Sequence, residues 1–285
     1  MKILKYLTYS LALMLMVASC DKHELQYNSE PVTGAEFQLH YFVPVSSTNT
    51  AYAVDSILVN GVQVTSVKGF GQLTPQKSCP GGILNDVEYC ARFYAVKPGE
   101  TNIKFYKGAN IIYDQNVTLT TGKQNVVVHD LNAAPFVVDN GYPYQHVSGT
   151  PSVANWDTDS LQTVMFINVL YEEAGKPYEG KLQYMWEHPT TKEWHNLGEA
   201  VGFGEATERL AISVIKTTHN SSGYCNINFR ILDEEGNDLM YTNSGGVETK
   251  YADYWTAYIG KSKMHFLRGV RTEKGSCAVT QWGSL

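Results

Sequence analysis

Apolar and polar residues alternate in short runs along most of this chain, and the runs are broken by clusters of Gly, Pro, Asn and Asp. Alternation with a period of two puts one side of a strand against a core and the other in water. In the first half, Phe37–Val43, Ser56–Thr65, Glu88–Val96, Thr101–Tyr106, Ile111–Tyr113, Asn116–Thr120 and Asn125–His129 read as strands. The sharpest signal is Ser56–Thr65, where Asn60-Gly61 supplies the positive φ angles of a type I′ hairpin turn. Between the others lie Lys97-Pro98-Gly99-Glu100, Lys107–Asn110 and Thr121-Gly122-Lys123, all with turn chemistry. The rhythm resumes with Leu161–Tyr171, Lys181–Glu187, Glu193–Leu197, Leu210–Ile215, Tyr224–Leu232, Asp238–Thr242, Val247–Lys250 and Trp255–Ile259. Pro189-Thr190-Thr191-Lys192 makes a second hairpin turn there. No segment carries a sustained helical stripe. The pattern predicts an all-β chain of two antiparallel β-sandwiches in tandem.

Gaps in the pattern set the domain boundaries. Residues 36–140 form the first sandwich and 160–285 the second. The Gly-, Pro- and Ser-rich stretch 141–159 between them reads as a linker. The halves also echo each other: Thr101–Tyr106, a turn, a Tyr-containing strand and Val126-Val-Val match Asn226–Ile231, the turn at Gly236, Leu239-Met-Tyr241 and Val247 onward to Tyr258. The second unit carries insertions.

The first residues have a different character. Lys2 and Lys5 precede an apolar run from Leu11 to Val17, and the small residues Ala18 and Ser19 stand immediately before Cys20. This is the layout of a secretory signal. The run is too short for a spanning helix, which needs ~20 apolar residues. Leu15-Met-Val-Ala-Ser-Cys20 resembles the bacterial lipoprotein signal. The resemblance implies removal of residues 1–19, acyl chains on Cys20, and a polar tether over 20–35. The implied address is the cell envelope, at the outer membrane of a Gram-negative bacterium, on its surface or its periplasmic face. The membrane is then a partner through the lipid anchor.

Composition narrows the function. Hydrophobic residues make up 43% and charged residues 18%, an ordinary globular balance, and the net charge is −6. With no basic cluster to meet a phosphate backbone, a nucleic-acid partner is excluded. Of the cysteines other than Cys20, Cys79 and Cys90 fall in the first half, Cys225 and Cys277 in the second. An exported address permits disulfides, and this division favours Cys79–Cys90 and Cys225–Cys277 among the three pairings. Free buried thiols are the alternative.

Tyr94-Ala-Val-Lys-Pro98-Gly99-Glu-Thr-Asn-Ile-Lys, Val117-Thr-Leu-Thr-Thr-Gly122 and the strand Asn125–His129 resemble a family of exported bacterial immunoglobulin-like domains found in lipoproteins of Gram-negative gut bacteria. The likeness runs over Glu36–Asn140 and, without the Pro-Gly turn, more faintly over Ser160–Gly269. It implies two immunoglobulin-like sandwiches and an envelope address. The family has no agreed activity, so the likeness transfers no site.

Candidate chemistry gathers at one turn. Trp186-Glu187-His188 and Glu193-Trp194-His195 bring indoles, imidazoles and carboxylates together. If Trp186 and Trp194 face water they can stack on sugar rings, with His188 and His195 bonding hydroxyls. Against this, alternate strand residues face opposite ways, which makes the indoles core. His188 and His195 lack a third ligand for zinc, so neither a metal nor any other cofactor is expected. Asp233–Asp238 lacks the ligand spacing of a calcium loop and reads as a solvated turn. Asp55-Ser56-Ile57 and Asp159-Ser160-Leu161 resemble a bacterial O-glycosylation triplet, and Asn116-Val-Thr118 has the form of an N-glycosylation acceptor. Gly260-Lys261-Ser262 lacks the earlier glycine of a phosphate loop, and no nucleophile elbow or dinucleotide fingerprint is present. With no catalytic residue to name, the expectation is a non-catalytic, lipid-anchored module for a glycan or another envelope protein. A fimbria-like structural subunit and a carbohydrate hydrolase are the alternatives.

Overall fold

Two kinds of strand build this protein, and the hydrophobic pattern tells them apart. Strict alternation marks strands with one face in water, and near-continuous apolar runs mark strands covered on both faces. The computed structural model describes residues 33–64, 72–79, 93–140, 161–214, 224–258 and 262–283. The signal stretch with Cys20, the linker over 141–159, Cys90 and Trp156 lie outside the described residues.

The first half contributes β1 (Ala35–Tyr41), β2 (Ser56–Val59), β3 (Val62–Gln63), β4 (Lys77–Cys79), β5 (Tyr94–Val96), β6 (Gly99–Lys107), β7 (Asn110–Leu119), β8 (Gly122–Val128) and β9 (Phe136–Asp139). The second contributes β10 (Leu161–Glu173), β11 (Lys176–Pro177), β12 (Gln183–Glu187), β13 (Trp194–Asn196), β14 (Leu210–Ser213), β15 (Tyr224–Leu232), β16 (Met240–Thr242), β17 (Glu248–Lys250), β18 (Ala252–Tyr258), β19 (Ser262–Val270) and β20 (Ala278–Gly283). Among the described residues the only helical element is a 3-10 turn at Thr50–Tyr52, and no helix is long and apolar enough to cross a membrane.

The fold is all-β, as the pattern predicts. The Asn60-Gly61 turn joins β2 to β3 with φ of 51° and 78°. Asn110–Leu119 is one strand where the sequence suggests two: Asp114 and Gln115 stay in register with Lys104 and Ile103, and a bulge falls instead at Ile112, opposite the Phe105–Tyr106 step.

Each half has an outer and an inner sheet. The outer sheets run β3-β2-β6-β7 and β13-β12-β15-β18. The inner sheets run β4-β1-β8-β9, with β5 also on β1, and β11-β10-β19-β20, with β14 also on β10. In both, the first strand of the half pairs in parallel with a late one, β1 with β8 and β10 with β19. The outer sheets match strand for strand, as do β1, β5, β8 and β9 with β10, β14, β19 and β20; β11, which follows β10 directly, does not correspond to β4, which follows the β2–β3 hairpin, and the hairpin β16–β17 is an insertion. This shifts the internal echo: β6 does match β15, but β7 corresponds to β18 and β8 to β19.

Three hydrophobic clusters follow from this layering. Phe37, Leu39, Ile57, Ile103, Phe105 and Val126 fill the first sandwich. Phe166, Tyr184, Ile227, Phe229, Trp255 and Leu267 fill the second. The third lies between the inner sheets, where Phe42, Val127 and Val138 meet Met165, Ile167, Val169, Met264 and Phe266. The layers thus stack outer, inner, inner, outer, and residues from 32 onward form one compact unit.

Polar side chains cross this seam in pairs. Gln38 accepts from the Trp282 indole N–H at 2.9 Å, and the Arg209 Nε–H donates to the Asn140 carbonyl at 3.0 Å. His40, fully buried, lies 3.1 Å through Nε2 from Asn125 Oδ1 and 2.7 Å through Nδ1 from the Ser78 hydroxyl. Because the Asn125 amide N–H₂ donates to Asn140, its oxygen faces His40 as acceptor and the ring carries its proton on Nε2.

The predicted Cys225–Cys277 disulfide is not formed. Cys277 is a buried thiol, and burial pushes its pKa up to about 12. It sits among Tyr251, Arg268 and Arg271, while Cys225 pairs with Ala257 of β18 in the outer sheet. In the first half, the Cys79 sulfur lies 2.6 Å from the Tyr94 hydroxyl.

Candidate binding face

The outer sheet of the second half positions the sequence-predicted site. On β15 the residues Cys225, Ile227, Phe229 and Ile231 point into the core, which leaves Tyr224, Asn226, Asn228 and Arg230 outward. On β18, Trp255 and Ala257 point inward and Tyr254, Thr256 and Tyr258 outward. Tyr184 and Trp186 of β12 point inward, which turns Gln183, Met185 and Glu187 out.

Register then assembles rows across the sheet. Glu187 pairs with Trp194, and Asn228 with Tyr254, so Trp194, Glu187, Asn228 and Tyr254 lie side by side on four strands. Asn226 pairs with Thr256, and Tyr224 with Tyr258, whose ring lies 5.5 Å away. Of the seven large apolar or aromatic side chains exposed among the described residues, Trp194, Tyr254 and Tyr258 all lie on this face, with Tyr254 55% exposed.

Hydrogen bonds and charge fix the surface between the rings. The Asn228 amide donates to Glu187 at 2.6 Å, and the Thr256 hydroxyl to Asn226 at 3.1 Å. The Lys192 ammonium stands 3.9 Å from the Glu187 carboxylate. The Arg230 guanidinium lies over the Trp194 ring at 4.6 Å, and its Nη1 is 3.7 Å from Asp238. Such a cation–π contact is worth ~0.5–1 kcal/mol at an exposed site and ties the indole to the neighbouring strand.

The structure divides the residues that the turn gathers in sequence. Trp194 faces outward with Glu187. Trp186 is only 8% exposed and closes the edge of the core, with the His195 ring 5.1 Å and the His188 ring 6.0 Å away. His188 serves the turn: its Nδ1 accepts the backbone N–H groups of Thr190 at 3.3 Å and Thr191 at 3.1 Å. The neutral ring then holds its proton on Nε2, so neither nitrogen offers a lone pair to a metal. Burial, followed by the charge of His195, holds the His188 pKa below the ordinary value. Among the described residues no three His, Cys, Asp or Glu side chains are grouped to hold a metal ion.

The sequence reading passed over Tyr254, Tyr258, Tyr224, Asn226, Asn228 and Arg230. A signal existed, because the polar phase of the alternating strands Tyr224–Leu232 and Ala252–Tyr258 carries tyrosines and asparagines. The equivalent outer face of the first half differs. There Asn102 donates to Asp114 and Asn116, and Lys104 bonds Asp114 at 2.9 Å, so polar groups satisfy one another without exposed rings between them.

No protein-family model matches the chain, and no curated protein matches it either.

Proposed function

We propose that this protein is a lipid-anchored, non-catalytic module of the cell envelope that binds a glycan on the outer sheet of its second half. The concentration of exposed rings and amides on that one face carries the reading. Aromatic faces cover the apolar C–H surface of sugar rings, and amides and hydroxyls pair with their hydroxyl groups. Acyl chains on Cys20 are the proposed anchor. They follow from Leu15–Cys20, and at ~0.8 kcal/mol per buried methylene they hold a protein on a bilayer without a spanning helix. The matching outer sheets and the shared parallel pairing of first and late strands support reading 36–140 and 160–285 as tandem immunoglobulin-like domains.

Two experiments test this. Cells fed labelled palmitate should label the protein, and Cys20→Ala should release it from membranes; a variant that stays membrane-bound would remove the anchor from the account. On a glycan array, binding should fall at least tenfold in Trp194→Ala. Retention of no glycan would overturn the ligand class.

A second reading has its own observation. Among the described residues the ten-residue strand β7 ends the first outer sheet, with Ile111 exposed. An open edge of that length can accept a strand from another subunit, as a fimbria-like assembly requires.

A further inference from the structure

The rings on the candidate face are widely spaced. Trp194 and Tyr254 lie at the two ends of one row, on β13 and β18, the edge strands of the sheet. Three inter-strand spacings separate them, about 14 Å. Tyr254 and Tyr258 are four residues apart on β18, about 13 Å along the strand. A single sugar ring therefore reaches one of these anchors at a time. The ground between them is polar: Glu187 and Asn228 fill the row from Trp194 to Tyr254, and Asn226 and Thr256 the interval from Tyr254 to Tyr258.

Each charge on these rows is already bonded. Glu187 has Lys192 and the Asn228 amide; Arg230 lies against the Trp194 ring and shares Asp238 with Lys250, whose ammonium is closer at 2.7 Å. One carboxylate and one guanidinium make no patch of a single sign, whereas a hydroxyl-rich neutral ligand meets the amides and ring faces it needs. Because the row ends at strands with no further neighbour in the sheet among the described residues, a chain lying across it can run on past both edges.

Building on the glycan reading above, we propose that the ligand is an uncharged polysaccharide engaged along the length of its chain rather than at a terminal sugar. Each contact on an open face is weak, so affinity accumulates as successive units cover successive anchors.

The test uses full-length protein in a detergent without a sugar headgroup. Immobilised β-glucan, xylan and mannan are compared with polygalacturonate and chondroitin sulfate, and oligosaccharides of one to eight units of the retained polymer are then titrated. Affinity should rise at least a hundredfold from monomer to octamer. Trp194→Ala and Tyr254→Ala should each lower octamer affinity about tenfold while lowering the melting temperature by no more than about 4 °C, since both side chains point outward and Trp194 gives up its contact with Arg230. Retention on the acidic polymers alone, or a monosaccharide binding as tightly as the octamer, would overturn this inference and leave the glycan reading standing. Retention on none of the polymers, or capture only by an envelope protein, would overturn both.

Discussion

Among the described residues, His40 and His265 are the most deeply buried titratable groups whose ordinary pKa lies near neutrality. Burial holds His40 down at about 4 and His265 at about 3. His265 has the Tyr184 hydroxyl 2.8 Å from Nδ1, and its ring stands edge-on to the Trp255 indole at 5.0 Å. Above pH 6.5 these side chains are neutral in folded and unfolded chains alike, so they add no pH dependence. As pH falls below 6.5 the unfolded chain takes up protons that the folded chain refuses, and stability drops. Each histidine contributes ~1.4 kcal/mol per pH unit, so the pair should remove about 4 kcal/mol between pH 7 and pH 5. His129 and His188, also lowered by burial, steepen the loss. Urea denaturation across this range measures it, and His265→Gln should flatten the dependence whatever it does to the midpoint. A free energy of unfolding that stays level from pH 7 to pH 5 would contradict the neutral, buried state of both rings.

Among the elements, turns and strands were legible to different degrees. Asn60-Gly61 could be read outright because only a few residues accept its backbone angles, and β15 because Tyr224–Leu232 alternates without a break. The strand β19 was missed. It is buried on both faces, so alternation gives no signal, and Lys263, His265, Arg268 and Gly269 interrupt its apolar run. The three-residue β4 and four-residue β9 are too short to show a period. The candidate face was half legible: Trp194 stood out by type, while Tyr254 and Asn228 became neighbours only through register. Glycines test the geometry at this scale. A Cβ on Gly61 meets nothing within 4 Å, so Gly61→Ala should cost only the left-handed backbone, about 1 kcal/mol. On Gly269, at φ of 93°, a Cβ would lie 2.1 Å from the Ser276 carbonyl oxygen. Gly269→Ala must therefore also push apart the loop leading from β19 to β20, and should cost at least twice as much in the same urea measurement. Equal costs would mean that this loop yields freely.

For the whole molecule, the seam between the inner sheets decides whether the halves behave as two domains or one. A flexible tandem would show two solvated inner faces, but Val127, Ile167 and Phe266 are completely buried there. The Phe266 ring lies 4.6 Å from His40 and 5.0 Å from Phe42, both in the other half. Unfolding either half alone would expose this apolar surface on the one that remains, together with the partners of the Gln38–Trp282 and His129–Tyr171 hydrogen bonds. The unaltered protein should therefore unfold in a single transition. Phe266→Ala should lower stability by about 3–5 kcal/mol and also flatten the urea dependence, because a weakened seam lets one half open before the other. Phe105→Ala supplies the contrast. It removes an equally buried ring that touches Tyr41 and Tyr113 inside the first sandwich, so it should shift the midpoint with the steepness retained. If the unaltered chain gave two separate calorimetric transitions, the seam would be a contact without coupling, and the second half with its exposed rings would be free to move against the first.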